Sequence, residues 1–210
     1  MLNIYITRHG ETIGNVNNIM QGRNNSDLTE KGKKRVKSLG KRLNNIHFDG
    51  VYSSPTGRAF ESTKLIFNER SDITINTHDG LMELDMGVWE GKDSNFIKKE
   101  YPEEYNNFCH FPHLFNLNKK LSSESFYDAQ VRVIKAINEI TSWHESGNIM
   151  IVSHCIAINV FLNHIENKTL KRLWEDDCID GGSLVHIIYN EGLYNILHNT
   201  DKAHFEEVNE

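Results

Sequence analysis

The sequence predicts an α/β domain with an inserted lid. Three observations carry that prediction. Short β-like runs alternate with stretches of helical period. One of the runs, residues 149–154 (IMIVSH), is apolar at nearly every position, as a strand buried on both faces would be. Three of the runs end on polar, reactive side chains, where open α/β sheets bind their ligands.

The elements follow in order. Residues 2–7 read as a strand. Thr29 is a helix cap, with Leu28 as a hydrophobic staple, for a helix to about Leu43. Residues 49–54 read as a short strand, and Pro55 suits the first turn of a helix reaching about Phe67. Residues 73–78 alternate as a strand does. From Glu83 to about Leu121 the pattern is irregular and rich in aromatics and histidines, with Pro102 and Pro112 breaking it. Phe126, Ala129, Val133, Ala136, Ile137, Ile140 and Trp143 form a helical stripe. A further helix follows the 149–154 strand to about Ile165. The chain then closes on two β-like runs joined by Asn190-Glu191-Gly192, a hairpin signal. Repeats and linkers are absent, so residues 1–210 read as one domain.

Composition narrows the function classes. The chain has 210 residues, a net charge of -6, 38% hydrophobic and 25% charged residues. These values suit a soluble protein and disfavour bulk nucleic-acid binding. No apolar run is long enough to span a bilayer. Arg8 and His9 interrupt the N-terminal apolar stretch too early for a signal peptide. The basic run from Lys31 to Arg42 carries Val36, Leu39 and Leu43 at helical spacing, so its lysines read as a solvated face. Cys109, Cys155 and Cys178 are odd in number and lack C-x-x-C spacing. That usage argues against a disulfide framework or a cysteine zinc site, and for a reducing cytoplasm.

The chemistry gathers at three strand ends. The first strand runs into Arg8-His9, the second into a helix carrying Arg58, and the 149–154 run ends on His154. Two imidazoles and two guanidiniums brought together would make a compact cationic pocket. Arginine's planar fork suits phosphate or carboxylate oxygens, and helix N-termini could add backbone donors. Positive neighbours would keep His9 neutral and nucleophilic, so attack on phosphorus would give a phosphohistidine. The leaving alkoxide then needs a proton. Glu83 is the best-placed carboxyl group for that task, ahead of Asp85 and Glu90.

These residues resemble the signature of the histidine phosphatase (phosphoglycerate mutase-like) superfamily. The resemblance runs through Arg8-His9-Gly10-Glu11-Thr12 with Asn15, Gln21-Gly22, Asp27-Leu28-Thr29 with Gly32, and Ser53-Ser54-Pro55 with Arg58-Ala59. It continues in Glu83, Gly87, Trp89-Glu90-Gly91, Glu124-Ser125 with Arg132, and Val152-Ser153-His154. It implies a three-layer α/β/α sandwich around a mixed, mostly parallel sheet, with the 84–121 region as a cap. It also implies that His9 is the phosphorylated nucleophile and Glu83 the proton donor. Arg8, Arg58 and His154 would complete the phosphate pocket, and Asn15, Gln21 and Gly22 would line the substrate side. No metal or cofactor is implied. The expected partner is a small phosphomonoester, with neither nucleic acid nor membrane, and the terminal hairpin offers an edge for a homodimer.

Within that family hydrolysis is the expected outcome. Classical cofactor-dependent mutases resemble Glu-Arg-His-Tyr-Gly where this chain has Glu83-Leu84-Asp85-Met86-Gly87. They also carry an Arg-Arg and proline-run insertion not found between Gly91 and Ser122, where this chain has Lys98, Lys99, Lys119 and Lys120. The alternatives are the mutase and, more remotely, a non-catalytic phospho-ligand binder. One departure is Cys155, where the family usually has glycine or another very small residue. It reads as a small buried side chain rather than a reactive thiol. His47, His78, His144, His164, His198 and His204 read as surface or rim residues, His110 and His113 as lid residues, and His186 as a strand residue of either face. None has metal-ligand spacing. Sugar phosphates, phosphoglycerate-like acids, phosphoserine and cobalamin-pathway nucleotide phosphates all remain candidate substrates.

Overall fold

A computed structural model describes residues 1–116, 120–175 and 179–208. Its centre is a six-stranded mixed sheet in the order β3-β2-β4-β1-β5-β6. The strands are β1 (Leu2–Arg8), β2 (Gly50–Ser53), β3 (Ile75–Thr77), β4 (Gly147–Ser153), β5 (Leu184–Asn190) and β6 (Leu193–Asp201). β1 runs parallel to β4, which runs parallel to β2, and β2 runs parallel to β3. β5 and β6 continue the sheet antiparallel beyond β1. The apolar run of residues 149–152 lies in β4, a central strand with neighbours on both sides and residues buried to 0% exposure. Register puts Arg8 beside Ser153. The catalytic candidates after β1 and β4 therefore emerge side by side.

Helices cover both faces. α2 (Glu30–Leu43) and α3 (Gly57–Ile66) pack Val36, Leu39, Leu43, Ala59 and Ile66 against Val51, Met150 and Val152. α6 (Phe126–Ser142) and α7 (Cys155–Ile165) pack on the other face, joining Ile4, Ile6, Ile149 and Ile151. The result is the expected three layers. α2 starts where the sequence indicates: Thr29 caps it by accepting from the Gly32 amide. Its lysines stay on the solvent side of a helix that buries Val36 and Leu39. Pro55 precedes α3, whose cap is Thr56, so the helix begins two residues later than expected. The hairpin turns at Glu191 and Gly192, both at positive φ (49° and 85°), as a two-residue type I′ connection requires.

The 84–121 region is more regular than its sequence suggests. It contains α4 (Ser94–Glu100) and α5 (Pro102–His110). Pro102 opens α5 and Pro112 opens a single 3-10 turn (Pro112–Leu114), so both prolines start helical segments rather than break them. Trp89, fully buried, sits among Tyr101, Tyr105, Phe108 and Phe115 with ring centroids 5.4–6.2 Å away. Phe108 reaches on to Phe126 of α6 at 5.5 Å. This aromatic cluster ties the segment to the main layers, each such pair adding about 0.5–1.5 kcal/mol beyond its area.

Among the described residues, no helix is long and apolar enough to cross a membrane.

Candidate active site

β1 delivers Arg8 and His9 together, and the following glycine has a specific task. A Cβ on Gly10 would stand 2.8 Å from the carbonyl oxygen of Gly32 in α2. Gly10 thus lets the chain just after β1 approach the backbone of α2 closely. His9 is 3% exposed. Its Nδ1 lies 2.7 Å from the Gly10 carbonyl oxygen, which can only accept, so Nδ1 carries the proton. Nε2 therefore presents a lone pair, and Arg58 Nε donates to it at 3.1 Å.

Arg58 is held on all sides. Its Nη1 donates to the Asn24 carbonyl (2.6 Å), its Nη2 to the Gly22 carbonyl (2.7 Å), and its backbone N–H to Asn25 Oδ1 (2.7 Å). Arg8 donates through Nη1 to the Ile179 carbonyl at 2.8 Å. Burial lowers both guanidinium pKa values, that of Arg58 to about 10, so both remain cations at neutral pH.

The imidazoles do not add charge. His9 is driven well below the usual histidine value, first by burial and then by Arg8 and Arg58. His154 is lowered in the same way, by burial first and then by Arg58. Desolvation is thus the larger cause, where the sequence pointed to cationic neighbours. The unliganded pocket owes its positive charge to the two arginines. His154 is fully buried and is not among the residues that line the cavity of the site, its ring centroid 5.2 Å from that of His9. Its Nε2 lies 2.8 Å from Ser54 Oγ and 3.1 Å from Thr56 Oγ1. Its Nδ1 has no hydrogen-bond partner among the described residues.

Glu83 comes from the segment after β3 and is 8% exposed. Its Oε1 accepts from the amides of Leu84 (2.9 Å) and Ala157 (3.1 Å), and its Oε2 from that of Ile156 (3.2 Å). The first turn of α7 therefore serves this carboxylate, where the sequence suggested donors for a phosphoryl group. Arg132 of α6 fixes the segment that carries Glu83. It donates to the carbonyls of Gly80 and Met82 at 2.9 Å and of Glu83 at 3.3 Å, while pairing twice with Glu124 (2.8 and 2.7 Å).

The two other carboxyl candidates, unlike Glu83, do not line the cavity of the site. Glu90 accepts from the amides of Arg23 (2.8 Å), Asn24 (3.0 Å) and Met86 (3.2 Å). Asp85 accepts from the Gly87 amide at 2.9 Å and pairs with Arg23 at 3.3 Å.

Arg8, His9, Arg58 and Glu83 line one cavity of about 380 Å³, together with Asn15, Gln21 and Gly22. Asn15 closes a capping box, accepting through Oδ1 from the Thr12 amide (3.0 Å) and hydroxyl (2.8 Å). Gln21 Oε1 lies 3.1 Å from the same hydroxyl. Gly22 sits at φ +53°, and a Cβ there would stand 2.2 Å from Glu90 Oε1.

The sequence profile of the histidine phosphatase superfamily (branch 1) matches residues 4–202. The chain belongs to that superfamily. Phosphoserine phosphatase 1 of Hydrogenobacter thermophilus is 28% identical over 188 residues, covering 89% of this chain and 87% of its own. A probable phosphoglycerate mutase of Erwinia tasmaniensis, GpmB, is 29% identical over 79% of this chain and 75% of its own. Among solved structures, YhfR of Bacillus stearothermophilus superposes with a TM-score of 0.93 at 32% identity, covering 98% of this chain and 100% of that one.

In this histidine phosphatase the apolar wall is the part that sequence reasoning missed. Ile19, Met20, Met86, Phe108, Ile156 and Trp174 line the same cavity, with Cys109 and Cys155. His110 and His113, the lid histidines, do not line it. A signal was present in the aromatic-rich stretch around Phe108, but a buried aromatic there reads equally as core. The histidines read as surface or rim include one exception, His204, which is 2% exposed and bonded to the Gly182 carbonyl at 2.7 Å. Cys155 is disulfide-bonded, whereas Cys109 is a free thiol. That bond corrects the expectation drawn from the cysteine count, and with it the argument for a reducing compartment. Cys178 and Lys119 lie outside the described residues. No group of three or more His, Cys, Asp or Glu among the described residues is arranged to hold a metal ion.

Proposed function

We propose that this histidine phosphatase hydrolyses small phosphomonoesters through a phosphohistidine on His9. The observation that carries the reading is the fixed tautomer of His9, whose unprotonated Nε2 accepts from Arg58 Nε at the wall of the cavity and is freed for attack when that guanidinium turns to the phosphoryl oxygens. In the first step Nε2 attacks phosphorus and the bond to the alcohol oxygen breaks. Glu83 gives its proton to that oxygen. In the second step water attacks the phosphohistidine, Glu83 takes a proton from it, and inorganic phosphate leaves. Arg8 and Arg58 stabilise charge on the transferring group's oxygens. The buried, unpartnered Nδ1 of His154 supports a further contact to one of them. Asn15, Gln21 and Gly22 border the alcohol side, and the 84–121 segment acts as its cap within a single domain.

Hydrolysis of p-nitrophenyl phosphate tests the reading. His9→Ala should lower kcat by about 10⁴-fold or more, the scale of removing a nucleophile. It should also abolish acid-labile phosphoenzyme. Equal rates in wild type and variant would overturn it.

A further inference from the structure

We propose that the alcohol half of the cavity selects uncharged, apolar leaving groups and rejects esters that carry a carboxylate. The inference rests on the phosphatase reading above and names the substrate class of that site. Every described charged residue that lines the cavity stands at its phosphoryl end: Arg8 and Arg58 beside His9, and Glu83, whose carboxylate accepts from the first-turn amides of α7. Ile19, Met20, Met86, Phe108, Ile156 and Trp174, with Gly22, Cys109 and Cys155, form the rest of the wall, and its polar side chains among the described residues are the neutral amides of Asn15 and Gln21 and the thiol of Cys109.

Two other described cations stand nearby: Lys98, whose charge reaches the lining residue Cys109 but which does not line the cavity, and Arg23, which is already engaged. Arg23 pairs with Asp85 and Glu124, and it does not line the cavity. A substrate carboxylate would therefore be desolvated against thioethers and rings, with no cation among the described lining residues of that end to meet it, which is costly. An apolar group in the same place gains by leaving water, at about 0.8 kcal/mol per buried methylene.

The far wall is also built rather than left open. Trp174 Nε1 donates to the Phe108 carbonyl at 2.8 Å, and the two rings lie 6.2 Å apart. This latch joins α5 to the stretch that follows α7 and sets the depth of the apolar end. The size fits: an apolar cavity of about 150 Å³ accepts benzene, so about 380 Å³ holds a phosphoryl group and an alcohol of one or two rings.

The test uses alkyl esters, so that leaving-group chemistry is held nearly constant. Wild-type kcat/KM is measured for ethyl, n-hexyl and 2-phenylethyl phosphate, O-phosphoserine and 3-phosphoglycerate. Hexyl and phenylethyl phosphate should exceed ethyl phosphate by about 30-fold or more, and both carboxylate esters should fall at or below ethyl phosphate. Trp174→Ala and Phe108→Ala should each shrink the phenylethyl-to-ethyl ratio to a few-fold. That ratio is readable even where absolute rates drop.

A series in which a carboxylate ester is preferred, with turnover still lost in His9→Ala, overturns the selectivity and leaves the phosphatase reading standing. Absence of any His9-dependent turnover overturns both.

Discussion

The histidine that opens the site is suited to the proposed nucleophilic role for two separate reasons. The Gly10 carbonyl fixes its proton on Nδ1, and burial keeps Nε2 unprotonated. A pH consequence follows with a definite sign. A folded pKa below the ordinary value means that the reactive neutral form persists as the pH falls. The acid limb of kcat/KM should therefore lie well below pH 6.5, as a pH profile of p-nitrophenyl phosphate hydrolysis would show. A limb centred near 6.5 would contradict the buried environment. Glu83 makes a different prediction. Glu83→Gln should slow alkyl esters by about 10²-fold or more and aryl esters with acidic phenols far less, because only poor leaving groups need the proton. A uniform loss across leaving groups would remove Glu83 from that role. His9, His154 and Arg58 were readable in the sequence because each directly follows, or lies in the first helical turn after, a strand that the pattern marks clearly. The apolar wall was not readable. Met20, Phe108 and Trp174 have the character of core residues, and only the path of the chain after β1, after β3 and after α7 makes them line a cavity.

At the scale of elements, the site depends on short backbone segments more than on helix ends. The loop at Gly22 and Asn24 offers two carbonyls to Arg58, and Glu90 holds that loop by two of its amides. Gly22→Ala would put a side chain at φ +53° and drive its Cβ into the Glu90 carboxylate. It should cost about 1–3 kcal/mol of stability and weaken inhibition by orthovanadate, as denaturant titration and inhibition assays would register. An unchanged midpoint with unchanged inhibition would contradict the clamp. Such a role is invisible in sequence, since a glycine after a glutamine announces a turn but not its partner. The same holds for Pro102 and Pro112. Proline marks a boundary, and whether the boundary is an end or a start depends on the backbone before it.

For the whole molecule, the two buried neutral imidazoles link stability to pH. Both His9 and His154 have folded values below their unfolded ones. The unfolded chain thus takes up protons near pH 6.5 that the folded chain refuses. Their contribution is complete above about pH 6.5 and is lost as the pH falls below it, by up to about 1.4 kcal/mol per pH unit for each group. Thermal melts from pH 7.5 to 5 should show a falling Tm, with a shallower slope in His9→Gln. Identical slopes would show that other groups dominate. The sheet order itself was only partly legible. Alternation indicated an α/β domain, the family resemblance implied mostly parallel neighbours, and the Asn190-Glu191-Gly192 turn indicated the hairpin. That β5 lies against β1 instead of extending the sheet beyond β3 is a matter of long-range packing that no local pattern encodes.

Glu83 and His154 reach the same chain junction from two directions. One hangs from the opening amides of α7 and the other is the residue just before that helix. A shift of the helix start of even a fraction of an ångström would carry the proposed proton donor and the second imidazole together. The two groups therefore share one mechanical reference point, so that natural or engineered changes in α7 retune both at once.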